Sequence, residues 1–176
     1  MRICLFDNNH DGEEDFRDVI GEDIDSGYVI LKDYRNRRVC QLEAYDECYK
    51  TYGNEYDWLL FFDIDELMFI NSDSTLHEFL QREEFNEFDM IHVNWLNFGD
   101  SEQLTSDDRW LLHRLTQPID VNNCSTYDFP DNFHVKSIIR GGLNDVQWKK
   151  TAHTPVNSIR CCNTFGKECD SKSPFV

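Results

Sequence analysis

Asp63, Ile64, Asp65 and Glu66 follow directly on the run Trp58-Leu59-Leu60-Phe61-Phe62, so three carboxylates stand where an apolar stretch ends. Such an uninterrupted run, bounded by polar residues, reads as a strand buried on both faces of a sheet. If the extended conformation continues into the acids, Asp63 and Asp65 point the same way with Cα atoms roughly 6–7 Å apart. Two carboxylates on one side repel each other unless positive charge sits between them. A hard divalent cation, Mn²⁺ or Mg²⁺, meets that need, because it takes oxygen ligands and keeps open positions for phosphate oxygens. The plain alternative is a strand that runs into an acidic turn.

The charge balance narrows the partners. With 34 acidic against 17 basic residues the net charge is -17, which works against general affinity for nucleic acid or an anionic membrane. A negatively charged substrate would need a local device, and a metal ion at the acidic strand end is one. Cysteines stand at Cys4, Cys40, Cys48, Cys124, Cys161, Cys162 and Cys169, without a C-x-x-C pair. A zinc site from Cys161, Cys162, Cys169 and His153 lacks the usual ligand spacing, and free thiols in a reducing cytoplasm are the simpler expectation. There is no apolar run of ~18 residues and no signal-peptide pattern. The expected setting is therefore cytoplasmic, peripheral to a membrane if the acceptor is lipid-linked.

The elements that must position these acids follow from periodicity. Residues 2–6 form a short apolar strand stopped by Asp7-Asn8-Asn9-His10-Asp11-Gly12, a turn-forming exit. A weak helix is expected at 13–20 and a second strand at 28–31. Over 38–52 the apolar positions Val39, Leu42, Tyr45, Cys48, Tyr49 and Tyr52 recur at helical spacing, ended by Gly53. The strand at 58–62 comes next, then a helix carrying Leu76, Phe79 and Leu80 and capped from 72–74. Another strand falls at 89–95. Beyond Asn97 only short strands at 110–115, 135–139 and 146–148 are legible among long loops. Alternating strands and helices predict a largely parallel α/β sheet with ligands at the strands' carboxyl ends. The whole chain, 1–176, reads as one domain, with a nucleotide-binding α/β half at 1–95 and a loop-rich acceptor side at 96–176.

That arrangement gathers sequence-distant groups on one edge. "LFDNNHDGEE", "QLEAYDECYKTYG", "YDWLLFFDIDE", "NWLNFGDS", "KSIIRGGL" and "HTP" occur in this order across nearly the whole chain. The set resembles glycosyltransferase family 92 and the family 2-like group, enzymes with a GT-A fold. The resemblance implies a sheet of Rossmann-like, mostly parallel form and a metal-dependent transfer of sugar from a nucleotide-sugar donor, with UDP as the expected nucleotide. The acceptor would be a glycan or a lipid-linked saccharide. Asp63 and Asp65 match the D-x-D motif, whose carboxylates hold Mn²⁺ or Mg²⁺ and contact the ribose. His153 matches a histidine that makes a later metal or diphosphate contact. Asp7, with Asn8 beside it, lies where related enzymes place a carboxylate against the uracil ring. Gln41 matches a helix position that faces the nucleotide, and Lys136 could reach a phosphate.

Trp95, Phe98 and Gly99 suit an acceptor platform, since an aromatic face packs on a pyranose and glycine permits close approach. An inverting transfer needs a carboxylate to deprotonate the acceptor hydroxyl, and Asp100 is the candidate, with Asp108 and Asp145 as competitors. Each residue has a structural alternative: a turn cap for Asp7, surface glutamine for Gln41, a snorkelling lysine for Lys136, a hydrogen-bonded loop histidine for His153, and core for the aromatics. The resemblance further implies a central first strand ahead of Met1 and a helical segment beyond Val176, so the chain is expected to be truncated at both ends relative to the family. Two other classes stay open. "LLFFDIDE" also looks like the nucleophile motif of haloacid dehalogenase-type phosphatases, although Glu66 stands where Thr or Val is expected. A non-catalytic remnant that binds a glycan or a partner is the third reading.

Overall fold

The computed structural model describes residues 1–71, 75–99, 105, 109–118, 134–156 and 159–171. Strand β1 (Ile3–Asp7) leads into helix α1 (Phe16–Asp25), whose N-terminus is capped by Asp15: its carboxylate accepts the Arg17 N–H at 2.8 Å. That cap moves the helix expected at 13–20 toward the C-terminus. Strand β2 (Val29–Asp33) pairs parallel with β1, Ile3 opposite Val29 and Asp7 opposite Asp33. Helix α2 (Gln41–Tyr52) starts later than its apolar periodicity suggests, because Val39 sits at φ 52° and is fully exposed. Gly53 closes it in right-handed conformation, φ -57°, so this glycine does not supply the left-handed cap that such a position usually carries.

Five further strands form a separate sheet: β3 (Trp58–Leu60), β4 (Met90–Asn94), β5 (Val135–Arg140), β6 (Cys161–Asn163) and β7 (Glu168–Cys169). Their order is β3-β5-β4-β6-β7, with β4 and β6 parallel and every other pair antiparallel. The largely parallel sheet expected from the strand–helix alternation is therefore corrected to a mixed α/β fold. The alternation ends after α3 (Leu76–Leu80) and a 3₁₀ turn (Glu83–Phe85), and β5 returns between β3 and β4 against both of them. The strand expected at 110–115 is instead helix α4 (Leu111–Arg114), and 146–148 is a loop whose Val146 and Trp148 are buried. The cap expected from 72–74 lies outside the described residues; Thr75 Oγ1 accepts the Glu78 N–H at the start of α3.

The reading of β3 as covered on both faces holds. Leu59 and Phe61 pack with Tyr45, Tyr49 and Trp148, while Trp58 and Leu60 face Phe79, Phe85 and Phe88. Trp148 centres the first layer, its ring centroid 4.5 Å from Phe61 and 5.7 Å from Tyr45. Arg140 ties the second: its guanidinium donates to the carbonyls of Phe85 and Phe88 and lies 4.1 Å over the Trp58 ring. The two sheets share α2, which packs Ala44 with Tyr34 and Phe6 on the β1–β2 side and Tyr45 and Tyr49 on the larger sheet. Among the described residues no helix is long and apolar enough to cross a membrane.

His92 on β4 is fully buried, and burial pushes its pKa down to about 4, with the Asp170 charge opposing. The folded value lies below the unfolded one of about 6.5, so the unfolded chain takes up the proton first as pH falls. The contribution is complete above about pH 6.5 and is lost on descent toward pH 4, at most about 3 kcal/mol. Urea unfolding at pH 7.5 and pH 5 is expected to differ by about 2 kcal/mol from this group, and a His92→Gln variant should lose that part of the slope.

Candidate active site at the end of the third strand

Strand β3 ends at Leu60, and the chain turns before it reaches Asp65. Glu66 N–H donates to the Asp63 carbonyl at 3.0 Å, and Asp63 N–H donates to Glu66 Oε2 at 2.9 Å. Asp63 and Asp65 therefore do not alternate along a strand. The acidic-turn alternative is what the backbone adopts, and it points the carboxylates to different environments. Asp65 is exposed and makes no hydrogen bond or ion pair with the described residues.

Asp63 is the hub of a polar cluster. Lys136 Nζ, on a side chain only 3% exposed, lies 2.8 Å from Asp63 Oδ2 and 3.3 Å from Glu66 Oε2. The other oxygen, Asp63 Oδ1, accepts from Gln41 Nε2 and from the Tyr45 hydroxyl at 3.5 Å, and Gln41 Nε2 is also 3.2 Å from that hydroxyl. Burial alone would lower the Lys136 pKa, but the Asp63 hydrogen bond and the neighbouring Tyr45, Glu66 and Asp63 charges raise it overall, so the ammonium is held charged. The positive charge that the acidic strand end required is thus a lysine of this chain. Helix α2 supplies Gln41 and Tyr45 from successive turns of one face, and β5, paired with β3, supplies Lys136. Tyr45 is a member that motif reading missed, and Glu66, visible in the acidic motif, receives no role in the site from that reading.

A second group lies beside it. His153 Nδ1 is 2.8 Å from the Val135 carbonyl, which makes Nδ1 the donor and Nε2 the nitrogen with the lone pair. Burial pushes its pKa down, against the Val135 hydrogen bond, with Lys136 and His134 adding to the fall, so the ring is neutral at pH 7. Trp95 stacks on His134 with centroids 5.2 Å apart and meets His153 edge-on at 5.1 Å. Its indole Nε1 is buried without a hydrogen-bond partner among the described residues. His134, absent from the motif reading, is placed by the backbone: Trp95 N–H donates to its carbonyl at 2.9 Å. Phe98 is exposed and bridges to Pro118, and Gly99 N–H donates to Gln117. Asp100 and Asp108 lie outside the described residues.

Asp7 is drawn into a different environment. It is buried at the end of β1, with Oδ2 2.9 Å from Arg35 Nε and Oδ1 accepting the Asn9 N–H at 3.1 Å. The turn-cap alternative is therefore realised, with an ion pair added. Asn8 is exposed. A cavity of ≈ 250 Å³ lies here, lined by Asp7, Asp15, Arg17, Leu31, Asp33 and Arg35. Asp63 does not line it.

Asp63, Asp65 and His153 are of the types that ligate a hard cation, and the His153 imidazole has its other nitrogen fixed by a carbonyl, but the three do not form a close set, and both Asp63 oxygens are engaged by Lys136, Gln41 and Tyr45. The close cluster of metal-ligand types among the described residues lies elsewhere, at His92, Cys161 and Cys169.

The α/β domain thus carries a carboxylate-rich strand end beside an ammonium and a histidine–indole wall. The family model for glycosyltransferase family 92 matches residues 2–163, and the chain belongs to that family of glycosyltransferases. No curated protein and no solved structure matches the chain.

Proposed function

We propose that this chain transfers a sugar from a nucleotide-sugar donor, with UDP as the nucleotide, to a glycan or lipid-linked saccharide, and that the donor diphosphate sits at the Asp63 turn. The observation that carries this reading is the fixed charge cluster of Asp63, Glu66 and Lys136 at the end of β3, within a family 92 domain. Lys136 is a buried, immobilised ammonium, suited to neutralise a phosphate oxygen as a point charge. Asp63, Asp65 and His153 would hold Mn²⁺ or Mg²⁺, which when bound supplies Lewis-acid neutralisation of the departing diphosphate. Gln41 and Tyr45 orient the Asp63 carboxylate. Asp7 acts through Arg35, their cavity is the proposed nucleobase end, and Asn8 is the exposed residue that follows Asp7. Trp95, whose indole N–H is unpaired among the described residues, and Phe98 beside Gly99 form the acceptor wall. Asp100 is the proposed base of an inverting transfer.

A second reading rests on one specific observation: among the described residues β1 pairs only with β2 and β3 only with β5, so the sheet is split between the two ends of the proposed site. A domain split in this way could hold ligand without turning it over. UDP release from a panel of UDP-sugars with Mn²⁺ separates the two. Release above the rate of an Asp63→Ala control supports transferase chemistry, and binding without release supports the second reading.

A further inference from the structure

The chain carries a cysteine pair already in contact. Cys161 on β6 and Cys169 on β7 are directly opposite in the antiparallel register, and their sulfurs are 2.8 Å apart. Opposed residues in an antiparallel pair have Cα atoms roughly 4.5–5.5 Å apart, inside the range that a disulfide spans. The sulfurs stand roughly 0.8 Å beyond a covalent bond of about 2.04 Å. Cys162 cannot compete. It points to the opposite face, among Phe79, Phe85 and Ile138, and its thiol faces the Met90 carbonyl.

We propose that Cys161 and Cys169 form a disulfide across the β6–β7 hairpin. The bond forms as each sulfur gives up its proton and the pair gives up two electrons to a disulfide oxidant such as oxidised glutathione, whose own S–S bond breaks to two thiols. Burial raises the pKa of both Cys161 and Cys169, which slows formation of the bond because the thiolate is the attacking species. His92 Nδ1, 3.7 Å from the Cys169 sulfur, is the one competing feature, because the three groups together are also the ligand types of a soft metal. The sulfurs are too close for that: tetrahedral zinc with bonds of about 2.3 Å holds two thiolates well beyond this separation.

The test equilibrates the folded chain with oxidised glutathione, blocks free thiols with an alkylating reagent, and maps tryptic peptides by mass spectrometry. The expected product is peptide 161–167 joined to peptide 168–172, with one thiol of 161–167 alkylated, and the species disappears on reduction. The link should survive Cys162→Ser and vanish in Cys161→Ser. Alkylation of both Cys161 and Cys169 without reduction would overturn the proposal, as would a link through Cys162. So would one zinc per chain retained through gel filtration, lost in His92→Asn, with both thiols still reduced.

Discussion

Asp63→Ala is expected to lower UDP-sugar turnover by about 10³-fold, the scale of removing a preorganised group that acts on developing charge. The same substitution strands Lys136, whose side chain is 3% exposed and would keep only Glu66 at 3.3 Å. Breaking a fully buried pair costs about 3–5 kcal/mol. The Asp63 side chain is 41% exposed, so solvent screening reduces this to about 1–2 kcal/mol. Catalytic and structural losses can be separated. Adding Lys136→Met removes the stranded charge and should restore most of the stability without restoring turnover. Unfolding in urea and UDP release, measured on the single and double variants, check both halves. A single variant that keeps turnover within tenfold of the parent contradicts the role assigned to Asp63.

The largest expected loss of stability belongs to Gly141→Ala. Gly141 follows β5, and its N–H donates to the Asp57 carbonyl at 2.8 Å. A Cβ here would collide with the Tyr56 carbonyl oxygen and lie 2.5 Å from the Gly53 carbonyl oxygen. Both obstacles are backbone, held by the end of α2 and the entry to β3, so neither can swing away. A cost of about 3 kcal/mol or more follows, roughly 10 °C in thermal midpoint for a chain of this size. Gly142→Ala is the matched control. Gly142 has open space around its Cβ but sits at φ +74°, so it should cost only about 1 kcal/mol. Thermal unfolding of the two variants should place them well apart, and equal midpoints would mean that α2 and β3 yield more than their packing indicates.

The two glycines also show what the sequence could and could not reveal. "KSIIRGGL" identified β5 and supplied Lys136, but nothing in it says that β5 inserts between β3 and β4. Long-range antiparallel pairing leaves no local periodicity, which is why the sheet was expected to be parallel. β6 and β7 are only three and two residues long, too short for alternation to register. The run from Trp110 to Leu115 is equally ambiguous, since short apolar stretches fit helix and strand alike. The strand at Trp58 was legible because both its faces are covered, and α2 because its apolar spacing is helical. At the site, Asp63, Gln41 and Lys136 were each visible as single candidates, and the structure brings them into one cluster. Tyr45 had a usable signal, four residues after Gln41 on the same helical face. Glu66 had one too, three residues after an acid at a strand's end. The Asp7–Arg35 pair had none, because it depends on the register of β1 with β2.

Asp65 gives the most direct test of a metal–diphosphate site, since it is exposed and makes no hydrogen bond or ion pair with the described residues, so replacing it should leave the fold intact. Calorimetric titration of UDP should show binding that needs Mn²⁺, and Asp65→Ala should abolish that metal-dependent binding while unfolding like the parent. UDP binding of equal strength with and without Mn²⁺, or unchanged in Asp65→Ala, would contradict a metal–diphosphate site at the Asp63 turn.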